Sequence, residues 1–100
     1  MNNYSLTLIP PTISATYDST EFTIMPSWNS FEGTGTIKLQ KFEDSNWITV
    51  TDSEQSMTDD TVAYTIDTNG TYRLSARRTY QGHTSEWANS SEIIVSEIVE

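Results

Sequence analysis

Asp67-Thr68-Asn69-Gly70-Thr71-Tyr72-Arg73-Leu74-Ser75-Ala76 is the stretch that decides the fold. Its first four residues are turn formers: Asp and Asn bond their own backbone locally, and Gly tolerates backbone angles that other residues avoid. Strict alternation follows. Tyr72, Leu74 and Ala76 fall on one side of an extended chain, and Arg73, Ser75 and Arg77 on the other. A period of two is the mark of a strand with one buried face, and the pattern runs from Thr71 to Tyr80.

Working outward, the same alternation recurs in short blocks separated by polar turns. Thr36–Phe42 places Ile37 and Leu39 inward and Lys38 and Gln40 outward. Glu43-Asp44-Ser45-Asn46 reads as a hairpin turn, and Trp47–Thr51 returns from it with either Trp47 or Ile48 packing beside Val50. Upstream lie Thr12–Tyr17, with Ile13, Ala15 and Tyr17 in phase, and Glu21–Trp28, with Phe22 and Ile24 inward. Pro26 has no N–H to donate, which puts that strand at an edge or at a bulge. Gly33-Thr34-Gly35 reads as a flexible turn. Downstream are Val62–Ile66 and Ser90–Val99, with a turn around Gly82 between the last two strands. Tyr4–Ile9, stopped by Pro10-Pro11, is either a short arm or the first strand. About seven strands at this spacing, with no helical period, predict an all-β, two-sheet antiparallel sandwich.

The chain has 100 residues, the size of one domain. We read residues 1–100 as a single sandwich, with 1–11 as its possible arm. Serine and threonine number 29 of the 100, and threonine favours strands. There is no cysteine, so packing and strand pairing carry the fold without disulfides. Fourteen acids against five bases give a net charge of −9. Such a chain repels nucleic acid, whose binding requires phosphate neutralisation by Lys and Arg. No stretch reaches the length of a membrane span. The N-terminus lacks a signal peptide's basic and long apolar regions, so the chain is expected to start at its own Met and to reach a cell exterior only as part of a larger assembly.

The Asp67–Ala76 stretch resembles the strand-F signature of immunoglobulin domains, with Leu74 where the second Cys would stand and Tyr72 two positions before it. The resemblance implies a tyrosine corner, in which the Tyr72 hydroxyl bonds backbone upstream. The region is also similar to fibronectin type III modules of bacteria and phages. It shares Tyr72-Arg73-Leu74-Ser75-Ala76, the Gly82 turn and Ser85-Glu86-Trp87-Ala88-Asn89, while Ile37-x-Leu39-Gln40-Lys41 with Asn46-Trp47 resembles their central hairpin. This makes Ile37, Leu39, Tyr72 and Leu74 structural positions. Cysteine-free, Ser- and Thr-rich modules of this kind look like those of tailed-phage virions. That likeness implies a virion accessory protein, a capsid decoration or a tail or baseplate component, docking on other virion structural proteins.

Few residues offer chemistry. His83 is the only histidine, and nothing in the sequence pairs with it as a triad would require. Asp52, Glu54, Asp59 and Asp60, with Asp67 nearby, lack the spacing of a calcium loop and read as a solvated surface. Neither a cofactor nor a metal is implied, and we expect no enzyme. The bases say more. If Thr36–Phe42 and Thr71–Tyr80 are neighbouring strands, then Lys38, Arg73 and Arg77 form an outward positive stripe on an acidic protein. That stripe suits an acidic partner surface; the competing reading pairs these bases with the chain's own acids across strands. Trp28 and Trp87 are candidates for stacking a host-surface glycan, the alternative function, or for packing at the core and its rim.

Overall fold

The computed structural model describes residues 7–58 and 62–99. Two antiparallel sheets face each other. The smaller has the order β1-β2-β6, formed by β1 (Ile13–Asp18), β2 (Thr23–Trp28) and β6 (Tyr64–Thr65). The larger runs β4-β3-β7-β10, from β3 (Thr34–Glu43), β4 (Asn46–Thr49), β7 (Gly70–Tyr80) and β10 (Ile93–Val95). Three two-residue strands extend it: β5 (Gln55–Ser56) on β3, and β8 (His83–Thr84) and β9 (Ala88–Asn89) on β7.

The frame of the molecule is the β3–β7 ladder, continuous from Thr34↔Thr79 to Lys41↔Tyr72. Paired residues share a face. Ile37↔Ala76 and Leu39↔Leu74 therefore point together into the interior, where Ile37, Leu74 and Ala76 have no exposed surface. Ile24, Tyr64, Ile66 and Val62 meet them from the opposite sheet, with Val95 closing the side and Ala15, Tyr17 and Trp28 packed around the rim. Val95 retains only 1% of its surface. Each fully buried Ile, Leu or Val here contributes about 1.5–3 kcal/mol.

Tyr72 makes the corner that its motif implies. Its hydroxyl donates to the Thr68 carbonyl, four residues upstream, at 2.8 Å, and lies 2.8 Å from the Thr68 hydroxyl. Lys41 Nζ donates to the same Thr68 Oγ1 at 2.9 Å. A second buried tyrosine plays a parallel part. Tyr64 donates to the Ser53 carbonyl at 2.7 Å and lies 3.2 Å from that of Ile37, tying the small sheet to the large one. Burial pushes its pKa up to about 12.

The edges of the large sheet are interrupted, and serines repair them. Opposite β7 the register slips by one residue between β8 and β9, and again between β9 and β10. Ser85 stands at the first slip. Its N–H donates to Arg78 O at 2.8 Å and its hydroxyl accepts Arg78 N–H at 3.0 Å. Ser90 does the same for Leu74 at the second, at 2.8 and 2.9 Å. On the other flank, between β4 and β5, the Ser53 hydroxyl accepts Leu39 N–H at 3.1 Å and lies 3.2 Å from Leu39 O. These contacts satisfy buried backbone groups that would otherwise lose their partners. Of the single last strand expected over Ser90–Val99, Ile93–Val95 pairs as β10, while β9 precedes it at Ala88–Asn89 on the other side of the Ser90 slip.

Other expectations are adjusted. The second strand begins at Thr23, because Asp18 Oδ1 accepts the N–H groups of Thr20 and Glu21 and coils the turn through Phe22, at φ 53°. Pro26 pairs with Ala15, while β6 reaches only Thr23 and Ile24, so the far flank of β2 is open at the proline. The hairpin at Asp44 and Ser45 has both residues at positive φ, as a two-residue primed turn requires. Gly33-Thr34-Gly35 is a fixed segment: Thr34 and Gly35 lie in β3, and a side chain on Gly33 (φ 98°) would collide with the Thr79 carbonyl oxygen. Of the predicted arm, residues 1–6 lie outside the described residues. Residues 7–12 form no strand; Leu8 is buried and Arg78 Nε holds the Ile9 carbonyl at 2.7 Å.

Gly33→Ala should cost more than about 2 kcal/mol in urea unfolding, and Tyr72→Phe about 1–2 kcal/mol; wild-type midpoints would contradict both contacts. Tyr64 holds its proton more tightly folded than unfolded, so its contribution is intact below pH 10 and lost as pH rises towards about 12. Stability should fall more steeply over that window in the wild type than in Tyr64→Phe. Equal slopes would mean a solvent-exposed hydroxyl.

Candidate partner-binding face

The outer face of the large sheet is set by the same register that builds the core. On β3 it presents Thr36, Lys38, Gln40 and Phe42; on β7, Thr71, Arg73, Ser75 and Arg77. Across the hairpin, Phe42↔Trp47 and Gln40↔Thr49 bring Trp47 and Thr49 to this face. From β9, Asn89 lies opposite Ser75.

Lys38, Arg73 and Arg77 do come together here, and what holds them is aromatic. The Arg73 guanidinium carbon lies 4.3 Å from the centroid of Trp47. Lys38 Nζ and the Arg77 guanidinium carbon both lie over Trp87, at 4.0 and 4.5 Å. A cation over an indole is drawn to the negative face of the ring. Phe42 buttresses Trp47 edge-on, with centroids 5.2 Å apart. Among the described residues, no ion pair joins these three bases to an acid; the ion pair present is Lys41–Glu43, at 3.6 Å. The cross-strand pairing with the chain's own acids is thus replaced by stacking. Burial lowers the Arg73 guanidinium from its ordinary value while Glu92 acts in the opposite direction, and a guanidinium remains charged under such a shift.

Gln40 is the centre that sequence reading missed. It is 8% exposed. Its Oε1 accepts Arg73 Nε–H at 2.8 Å and the Ser75 hydroxyl at 3.0 Å, and its amide donates to Thr49 Oγ1 at 3.4 Å. One amide thereby fixes the orientation of the guanidinium on Trp47. Outward parity between Lys38 and Phe42 was the signal available for it.

The two remaining bases are occupied elsewhere. Lys41 serves the tyrosine corner, and Arg78 binds the carbonyls of Ile9 and Glu32 at 2.7 and 3.0 Å. Trp28 and Trp87 are not brought together. Trp28 pairs with Ile13 in the small sheet and packs against the core, whereas Trp87 carries two cations on the outer face of the large one. His83 is exposed on the β7–β8 hairpin. Of the acidic group, Asp59 and Asp60 lie outside the described residues; among those described, no three Asp, Glu, His or Cys side chains converge.

No family model matches the sequence, and no curated protein matches it. Among solved structures the chain is similar to an Fn3-like protein from Clostridium thermocellum, at 21% identity with a TM-score of 0.49, over 88% of this chain and 91% of that one. The architecture is read from the strand order itself: β1-β2-β6 faces β4-β3-β7-β10, the β3–β4 hairpin lies wholly in the larger sheet, and a tyrosine corner stands at the start of β7. That is a fibronectin type III-like sandwich.

A double-mutant cycle over Arg73→Ala and Trp47→Ala, read by denaturant unfolding, should return a coupling of about 0.5–1 kcal/mol. A coupling of zero would leave the stacking without energetic weight.

Proposed function

We propose that this chain is a non-catalytic docking module that engages an acidic surface of another protein through the outer face of β3 and β7. One observation carries the reading. A chain of net charge −9 gathers three of its five bases on one face and holds them on tryptophans, with no ion pair to a carboxylate among the described residues. Like charges gathered on one face of an acidic protein attract a complementary acidic patch, which fixes partner and register. The surrounding side chains suit a contact surface. Trp47 and Trp87 are rigid amphipathic platforms of the type enriched where proteins meet, and Gln40 keeps Arg73 pre-oriented.

The setting we propose is the virion of a tailed phage, where the module would decorate a capsid or extend a tail. Support for that setting comes from the Ser- and Thr-rich, cysteine-free character of the sequence and its resemblance to such modules. Its work there is adhesive: the partner is a coat or tail protein, and no bond is made or broken.

The tagged chain should recover a coat or tail protein from a lysate of its source, and recovery should weaken as salt is raised from 0.05 to about 0.5 M. Lys38→Glu with Arg73→Glu should abolish it, while Glu21→Lys, on the β1–β2 turn, should not. A partner retained by the double variant would refute this face as the dock. Binding to polysaccharide, lost on Trp87→Ala but not on charge reversal, would transfer the assignment to a glycan.

A further inference from the structure

A second surface lies at the edge of the large sheet, where β4 has no strand on its outer side among the described residues. Antiparallel bonding alternates along a strand. Glu43↔Asn46 closes the hairpin and Val50 N–H bonds Leu39 O at 2.9 Å, so the groups of Trp47 and Thr49 are aimed away from β3. Natural edges are usually protected by lysine, proline or a bulge. Asn46-Trp47-Ile48-Thr49-Val50-Thr51 has none of these.

The interlayer opening beside this edge is a cleft of about 260 Å³. Leu39, Ile48, Val50, Ile66 and Tyr72 form its apolar floor. Ile48 remains 47% exposed, because the small sheet ends at the two-residue β6 and does not cover it. Acids stand at both ends of the bare edge: Glu43 and Asp44 before it, Asp52 and Glu54 after it. Lys41, the base in the cleft, is held by Thr68 and Glu43.

We propose that β4 is a strand-addition site for an extended segment of a partner protein, apolar at every second residue and basic at both ends. The backbone of Trp47 and Thr49 supplies the ladder, and the cleft takes the apolar side chains beside Ile48 and Val50. The flanking acids select the basic ends. They also oppose a second copy, since antiparallel pairing of two β4 strands centred on Ile48, with Trp47 against Thr49, sets Asp44 against Asp52 of the other chain. This site is separate from the outer face, and its ligand has the opposite charge.

The test uses capped heptapeptides Lys-Thr-X-Thr-X-Thr-Lys, with X being Val, Ile, Leu or Phe, added to the full chain and followed by amide hydrogen exchange. At least one member should slow exchange at Trp47 and Thr49 about tenfold or more. Its counterpart with Glu at both ends should bind about tenfold more weakly. Thr49→Pro, which deletes an outward N–H at an edge position that tolerates proline, should abolish the protection. Arg77→Glu, over Trp87 and with β3 between it and β4, should leave it intact, separating this site from the docking face. Absence of protection with every peptide, or protection indifferent to the terminal charges, would overturn the proposal. So would protection of the same amides that rises with protein concentration without peptide, since a second copy would then fill the edge.

Discussion

Everything in this molecule hangs on the antiparallel ladder between β3 and β7. It is the longest pairing in the structure, and its register acts on both sides of the sheet at once. Inward, it sets Leu39 against Leu74 and Ile37 against Ala76. Outward, the same register sets Gln40 against Arg73 and Lys38 against Ser75. A slip of one residue would exchange the faces, burying the cations and exposing the core. The hydrophobic requirement of the interior thus fixes the geometry of the charged surface, with no separate device needed to assemble it.

The flanks of this ladder are built differently. Where β8, β9 and β10 fail to continue one another, and where β4 gives way to β5, a serine hydroxyl takes the place of a missing strand partner. Each slip also re-aims a side chain. Trp87 faces outward beside Arg77 because the register moves by one residue at Ser85; without that shift Glu86 would stand opposite Arg77. A local defect in pairing, healed by a hydroxyl, delivers the aromatic ring to the cations.

This division explains what could be read from the residues. The two central strands are legible because alternation over ten or eleven residues admits one register, and Tyr72 is legible because a corner tyrosine stands two positions before a core residue of its strand. The outward placement of Lys38, Arg73 and Arg77 follows from that parity. The side of β4 that packs inward is ambiguous on hydropathy alone, since Trp47, Ile48 and Val50 are all apolar. The two-residue turn at Asp44-Ser45 resolves it by pairing Trp47 with Phe42. The serine repairs are invisible among so many serines and threonines, because their role depends on where a strand breaks. Gln40 is hidden for a related reason: its three contacts come from β4 and β7, and no local pattern announces them.

The stacking of Arg73 on Trp47, and of Lys38 and Arg77 on Trp87, has a consequence for the conditions under which the face keeps its shape. A cation oriented by a carboxylate loses its anchor when the carboxylate takes up a proton in acid. An indole ring has no proton to gain in that range, and neither does the Gln40 amide that holds Arg73. The stacking contacts and the Gln40 amide are therefore insensitive to acid in the range where the chain's fourteen carboxylates, including the Glu92 whose charge acts on Arg73, are neutralised. As the medium is acidified the background negative charge fades while the stripe stays ordered, so the molecule passes from a basic island in an acidic field to a uniformly cationic body without rebuilding its contact geometry.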